Sequence, residues 1–312
     1  MIETVVSMEL PVDEHLRIQK NRIMPVHPTG KEKRFAVVTG THGDELEGQF
    51  VCYELQRRLK SMPEQLKGIV DIYPALNPLG IDSITRGIPM FDLDMNRIFP
   101  GTEEGPMMET LVKRLMDDFE DADMCVDIHA SNIFLMELPQ VRVNEETENL
   151  LVPYAKKLNV DFVWVHSAAT VLESTLAYSL NKIGVPTLVV EMGVGMRITK
   201  TYGYQLVEGI LNVMKEMGIW EGPVGEVREP IVSSDRAVGY LNADMAGIFV
   251  PKIEIGDQVK KGDILGEILN PLSGNVEQVV EAPIDGMVFT RREYHVVYSG
   301  SLLGRILGGR EE

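Results

Sequence analysis

Up to about residue 222 the apolar positions switch between two periods. Short continuous apolar runs at 35–39, 68–76, 124–128, 160–165 and 186–190 have strand length and are bounded by Gly, Pro or Asn. Between them, 46–60, 106–120, 145–158, 173–182 and 200–217 carry apolar residues at three- and four-residue spacing and predict helices. The clearest stripes are Met108, Leu111, Val112, Leu115, Met116 and Phe119, and later Tyr204, Leu206, Val207, Ile210, Leu211 and Met214. Strands alternating with helices indicate a layered α/β domain. Residues 1–30 are mixed polar with Pro11, Pro25 and Pro28 and predict an edge strand or two. The stretch 78–105 shows neither period. Its Gly/Pro punctuation and charged residues read as one long loop, and a loop of that length in a compact domain usually carries function.

After Gly222-Pro223 the helical period stops. Short β-like runs separated by glycine take over, as in Ala246–Pro251, Ile255–Gly266, Glu281–Val288 and Val297–Leu303. The expected organisation is a domain at 1–222, with 1–30 as its edge segment, and a small all-β domain at 223–312.

The chain has 312 residues and a net charge of −17. That length suits two ordinary domains. The missing basic surplus argues against a nucleic acid or an anionic membrane as partner, because nothing is there to neutralise phosphates. An anionic small molecule needs only a local cluster of Arg and Lys and stays open. Cys52 and Cys125 both lie in apolar patterns, which suits buried free thiols in a reducing compartment. No basic segment leading into an apolar core marks a signal peptide, and no apolar run approaches membrane-span length. The expected location is the cytoplasm.

Chemistry concentrates just past three of the apolar runs. The first ends in Gly40-Thr41-His42-Gly43-Asp44-Glu45, the third in Asp127-Ile128-His129, and the last in Glu191-Met192-Gly193. Open α/β sheets gather ligands at the carboxyl ends of their strands. Imidazole and carboxylate suit zinc, and a catalytic zinc needs three protein ligands and an open position. His42, Glu45 and His129 make such a set. Glu191 is then a candidate base for an attacking water. Arg86 is a candidate to stabilise an oxyanion, and Asn96 with Arg97 a donor pair suited to a substrate carboxylate. Asp127 is weighed as a partner for a histidine ring and discounted, because strand neighbours point opposite ways. Asp44 and Glu47 read as supporting or solvated residues.

In chain order, Gly-Thr-His42-Gly-Asp-Glu45, Asn77-Pro78-Leu79-Gly80, Arg86, Asp92 to Gly101 with Asn96-Arg97, Asp127-Ile128-His129 and Glu191-Met192-Gly193 closely resemble the succinylglutamate desuccinylase/aspartoacylase family. That family is a branch of the zinc carboxypeptidase (M14-like) fold. The resemblance covers about residues 30–220. It implies a three-layer α/β catalytic domain with a mixed sheet, and one Zn2+ per chain on His42, Glu45 and His129. It implies Glu191 as general base, Arg86 on the scissile carbonyl and Asn96 with Arg97 on the substrate α-carboxylate. The implied reaction is hydrolysis of a linear, non-peptide amide in a small N-acyl amino acid or N-acyl amine. A homodimer is a family-level expectation. The chain departs from aspartoacylase at Gly87–Phe91, which lengthens the interval from Arg86 to Asn96. It also lacks that enzyme's arginine upstream of the base. Tyr178, Asn181 and Lys182 stand nearby, and Lys182 is the substitute contact.

The C-terminal stretch resembles the barrel-sandwich modules of biotinyl and lipoyl carriers, through Val259-Lys260-Lys261-Gly262-Asp263 and Ala282-Pro283-Ile284-Asp285-Gly286. The interval that normally holds the carrier lysine reads Asn270–Asn275 and has none, so neither modification is expected. In this family such a domain caps the cleft. Tyr294, His295 and Tyr298 are considered as residues reaching the pocket, with plain β-surface roles favoured for each. A peptide carboxypeptidase and a non-catalytic binding protein are the alternative readings. The narrowed cleft speaks against the first, and the retained ligand set, base and Arg86 against the second.

Overall fold

The computed structural model describes residues 1–167 and 173–308; residues 309–312, the end of the expected 223–312 domain, lie outside the described residues. The chain opens with a hairpin of β1 (Ile2–Leu10) and β2 (Glu14–Ile23). There follow β3 (Arg34–Thr39), α1 (Glu47–Ser61), β4 (Ile69–Tyr73), α2 (Pro78–Ser83), α3 (Met107–Phe119) and β5 (Met124–His129). Next come β6 (Leu135–Asn144), α4 (Glu148–Ala155), β7 (Phe162–His166), α5 (Leu176–Lys182), β8 (Thr187–Gly193) and α6 (Lys200–Glu216). The C-terminal strands are β9 (Ile231–Ser234), β10 (Val238–Asn242), β11 (Gly247–Pro251), β12 (Gln258–Val259), β13 (Ile264–Asn270), β14 (Asn275–Glu281), β15 (Gly286–Arg292), β16 (Val296–Val297) and β17 (Leu302–Leu307).

Strands β4, β3, β5 and β8 run parallel and adjacent at the centre of one large mixed sheet. β3 and β5 are buried at every position, as strands covered on both faces must be. Alternate side chains serve opposite layers. Phe35 and Val37 pack with Val51 and Leu55 of α1 and Ile210 and Leu211 of α6, while Ala36 and Val38 pack with Leu111 and Leu115 of α3 and Leu180 of α5. The result is the mixed-sheet, three-layer arrangement the sequence implied. β1 and β2 are the expected edge strands, with β2 antiparallel to β4.

Several boundaries differ from the sequence reading. The helix expected at 145–158 is a 3-10 turn at Glu145–Thr147 followed by α4, and the one expected at 173–182 begins only at Leu176. The long loop contains α2, capped by the Asn77 side chain, and a 3-10 turn at Met95–Arg97. Tyr204, counted in the α6 stripe, is half exposed and packs edge-on against Phe50. The sequence reading leaves 135–144 unassigned, yet β6 is a ten-residue strand. It runs antiparallel to β8, parallel to β7 and, at Leu135–Glu137, antiparallel to β15. Through that last pairing β15, β17 and β10 continue the large sheet, while β14, β13, β11 and β16 form a second, antiparallel sheet with its own small core. Among the described residues no helix is long and apolar enough to cross a membrane.

A buried carboxylate ties the edge to the centre. Asp71 of β4 is held by Arg22 Nη2 and Arg34 Nε, each at 2.7 Å, and lies 3.5 Å from Lys20 Nζ. These cations, outweighing burial, keep Asp71 below the usual aspartate range. A depressed carboxylate adds stability above its unfolded pKa and loses it as pH falls through the folded value. We expect Asp71→Leu to cost about 3 kcal/mol at neutral pH in urea unfolding, because Arg34 and Lys20 lose a buried counter-charge. That deficit should shrink in acid.

Candidate active site

The chain leaves β3 toward β4 on one side, while β5 lies against β3 on the other. The strand order therefore reverses beside β3, and a crevice opens at the carboxyl ends of β3 and β5. His42 and Glu45 sit in the turn after β3, and His129 ends β5. Gly43 is required there, since a Cβ would lie 2.0 Å from the Gly80 carbonyl carbon in α2. His129 pairs in register with Glu191 of β8, which brings the second carboxylate to the same edge.

The two imidazoles present the same nitrogen to one carboxylate. His42 Nδ1 is 2.9 Å from Glu45 Oε1, and His129 Nδ1 is 3.0 Å from Glu45 Oε2. The opposite nitrogens are both held by aspartates: His42 Nε2 by Asp94 at 3.0 Å and His129 Nε2 by Asp127 at 3.1 Å. The Asp127 contact corrects the sequence reading. Residues 127 and 129 are two apart in a strand and share a face, so the objection from strand alternation does not apply. His42 Nδ1 is buried and its contact lacks hydrogen-bond alignment, so it has no hydrogen-bond partner. Ligand atoms of His42, Glu45 and His129 all lie within 4.8 Å of one another, a group that could hold a metal ion. An aspartate on the far nitrogen of each ring fixes its tautomer and orientation, as metal-binding histidines require. The electrostatics also favour a cation. Burial pushes both histidines down, but Asp94 and Glu45 at His42, and Asp127 and Glu45 at His129, more than offset it. Glu45 is held well below the carboxylate range by the two rings despite burial.

These residues line one cavity of about 880 Å³ that also contains Arg86, Asn96, Arg97, Glu191 and Lys182. Arg86 Nη1 donates to Glu45 Oε1 at 2.9 Å, and its Nε lies 3.4 Å from Asp94, so it leans on the candidate ligand set. Asn96 Oδ1 accepts from the Leu176 amide at 2.9 Å, joining the loop to the start of α5. Arg97 Nη1 donates to the Asn96 carbonyl at 2.8 Å and lies 4.0 Å from Asp94 Oδ2. Lys182 is exposed at the end of α5, with Nζ 5.9 Å from the Tyr178 ring centre. Asn181 is occupied by the Thr187 backbone. Glu191 is raised to about 7, chiefly by burial, with Glu137 and Glu45 adding to it and Arg142 and His129 opposing.

Sequence reasoning passed over Glu137, Arg142, Trp164, His166, Tyr240 and Arg305, which also line the cavity. Glu137 and Arg142 lie in the 135–144 stretch that the sequence reading leaves unassigned, and only the place of β6 inside the sheet brings them to the cavity. Of the three C-terminal residues considered, none lines the cavity. Tyr294 packs edge-on against Phe134, His295 Nδ1 meets the Phe249 carbonyl at 2.7 Å, and Tyr298 is 71% exposed. Glu47, read as supporting or solvated, is fully buried and accepts from both the Thr199 amide and hydroxyl at 2.7 Å, anchoring α6.

The profile of the succinylglutamate desuccinylase/aspartoacylase catalytic domain matches residues 31–217. The chain belongs to this family. It is 27% identical over 267 residues to an N-alpha-acetyl-L-2,4-diaminobutyric acid deacetylase of Halomonas elongata, covering 81% of this chain and 75% of that one. Among solved structures it resembles a succinylglutamate desuccinylase/aspartoacylase from Rhodobacter sphaeroides, with TM-score 0.78 and 25% identity over 95% of this chain and 91% of the other. The product-bound ectoine utilization protein EutE (DoeB) of Ruegeria pomeroyi shares the fold, with TM-score 0.80 and 21% identity over 95% and 90% of the two chains.

The ring-orienting aspartates supply a test of the donor set. Asp94→Asn should lower affinity for a divalent metal by about 10–100-fold in chelator competition, with the fold intact by circular dichroism.

Proposed function

We propose that this family member is a zinc-dependent deacylase that cleaves the amide of a small N-acyl amino acid. The observation that carries this reading is the convergence of two Nδ1 atoms and the Glu45 carboxylate on one point, in a cavity shared with Glu191. When bound there, a zinc ion supplies a Lewis acid that polarises a carbonyl and acidifies water. Glu191, close to neutral pH in its affinity for a proton, takes one from the attacking water and returns it to the departing amine. Arg86 keeps guanidinium donors beyond the one on Glu45 and turns them to the oxygen of the tetrahedral intermediate. Asn96 and Arg97 take the α-carboxylate at the rim, and Lys182 a further polar group of the substrate.

The C-terminal region at 223–312 acts in this reading as the wall that restricts access, since Asp235, Tyr240 and Arg305 line the cavity. The deacetylase relative favours acetylated diamino acids as first substrates to try. The buried free thiols Cys52 and Cys125 agree with a reducing cytoplasm as the site of action.

The decisive experiment is metal analysis combined with turnover of a panel of N-acetyl and N-succinyl amino acids. One zinc per chain and hydrolysis of at least one member are expected. Bound zinc without hydrolysis across the panel would move the protein to a binding role. Glu191→Gln should retain the metal and lose about 10²–10⁴-fold in kcat. The pH profile has a worked sign. Glu191 must be deprotonated to act, so kcat/KM falls as pH drops through its pKa. A cation on His42, Glu45 and His129 pulls that value down, placing the acid limb at or below about 7.

A further inference from the structure

The C-terminal strands reach Glu191 through a line of alternating charges. Glu137 of β6 stands opposite Thr290 of β15, and Thr290 stands opposite Arg305 of β17. Arg305 Nη1 donates to Glu137 Oε1 at 2.7 Å. Glu137 Oε2 accepts from Arg142 Nη2 at 3.0 Å, and Arg142 Nη1 lies 3.4 Å from Glu191 Oε1. Glu137 is buried and is steadied further by Gln140 Nε2 at 2.9 Å. The Trp164 ring centre lies 5.7 Å from the Arg142 guanidinium and 5.6 Å from that of Arg305, and its Nε1 donates to Asp235 at 2.7 Å.

One carboxylate thus serves two guanidinium groups, and the division between them matters. A guanidinium facing a free carboxylate pairs with both oxygens at once. Arg142 Nη2 already lies 3.4 Å from Oε1, the oxygen that Arg305 occupies at 2.7 Å with a longer contact from Thr290 Oγ1 at 3.4 Å. With Arg305 in place, Arg142 is denied the full two-pronged pairing and keeps Nη1 for Glu191.

We propose that Arg305 is a positioning residue for Glu191: by occupying Oε1 of Glu137 it leaves Arg142 free to hold the base in line for attack on the amide. The proposal rests on Glu191 being the base. It makes the C-terminal region part of the hydrolytic machinery as well as part of the wall. No C-terminal group need touch the scissile bond.

Arg305→Met keeps an unbranched apolar stem but removes the guanidinium and its charge; Arg305→Lys keeps the charge. In a crystal structure of Arg305→Met, Arg142 should pair with both Glu137 oxygens and draw away from Glu191. With metal content and melting temperature unchanged, kcat should fall about 10–100-fold while KM stays within about twofold, the expected cost of a base displaced by roughly an ångström. Arg305→Lys should recover most of kcat. Arg142 remaining on Glu191 in Arg305→Met overturns the proposal whatever the activity. So does a rise in KM with kcat unchanged, which would make Arg305 a binding residue. Absence of hydrolysis in the unaltered protein would defeat the deacylase reading, and the crystal structure would still decide the coupling. Hydrolysis in the unaltered protein with Arg305→Met equally active would defeat only the coupling.

Discussion

The arrangement depends on the parallel register of β3, β5 and β8. Thr39 pairs with Ile128, and His129 pairs with Glu191, so three chain segments end at the same level. Everything polar in the site is then a short excursion from an apolar strand. The strands cannot slide, because a one-residue slip would turn Val37 and Val126 into the wrong layer and unseat two helices at once. Two large cores therefore stand behind a donor set that spans a few ångströms. That rigidity keeps two imidazoles and a carboxylate in contact at a buried site where desolvation opposes them.

The legibility of the site follows from where its residues sit. His42, Glu45, His129 and Glu191 were readable because each lies where an apolar run meets glycine or a polar turn, and their positions in the structure put them in one cavity. The central strands and the helices α1, α3 and α6 were readable for a related reason: burial on one or both faces imposes a period on the sequence. β6 was not. Its sequence, LMELPQVRVN, mixes charges and a proline into an apolar run, and its partners lie far away in the chain, including β15. Local pattern holds no record of such pairings. Glu137, Arg142 and Arg305 were hidden for the same reason, since a charge in a strand reads as exposed until its neighbours on both sides are known.

The aspartates show a subtler limit. Asp94 was recognised only as part of a charged loop, and Asp127 was set aside by a miscounted alternation. Both turn out to hold the far nitrogens of the two histidines. The alternation rule was sound, and it favoured Asp127 once applied to a separation of two. The β-domain tyrosines and His295 illustrate the opposite case, in which residue type invites a functional role and the fold supplies ordinary packing.

Gly193 carries a consequence of a different kind. It has a positive φ, and a Cβ there would lie 1.9 Å from Glu47 Oε1, the carboxylate that anchors the start of α6. Only Met192 separates this clamp from Glu191. Glu191, α1 and α6 thus form one mechanical unit. The 86–97 loop and the strands β10 and β17 lie outside this clamp and supply Arg86, Arg97, Tyr240 and Arg305 to the cavity wall.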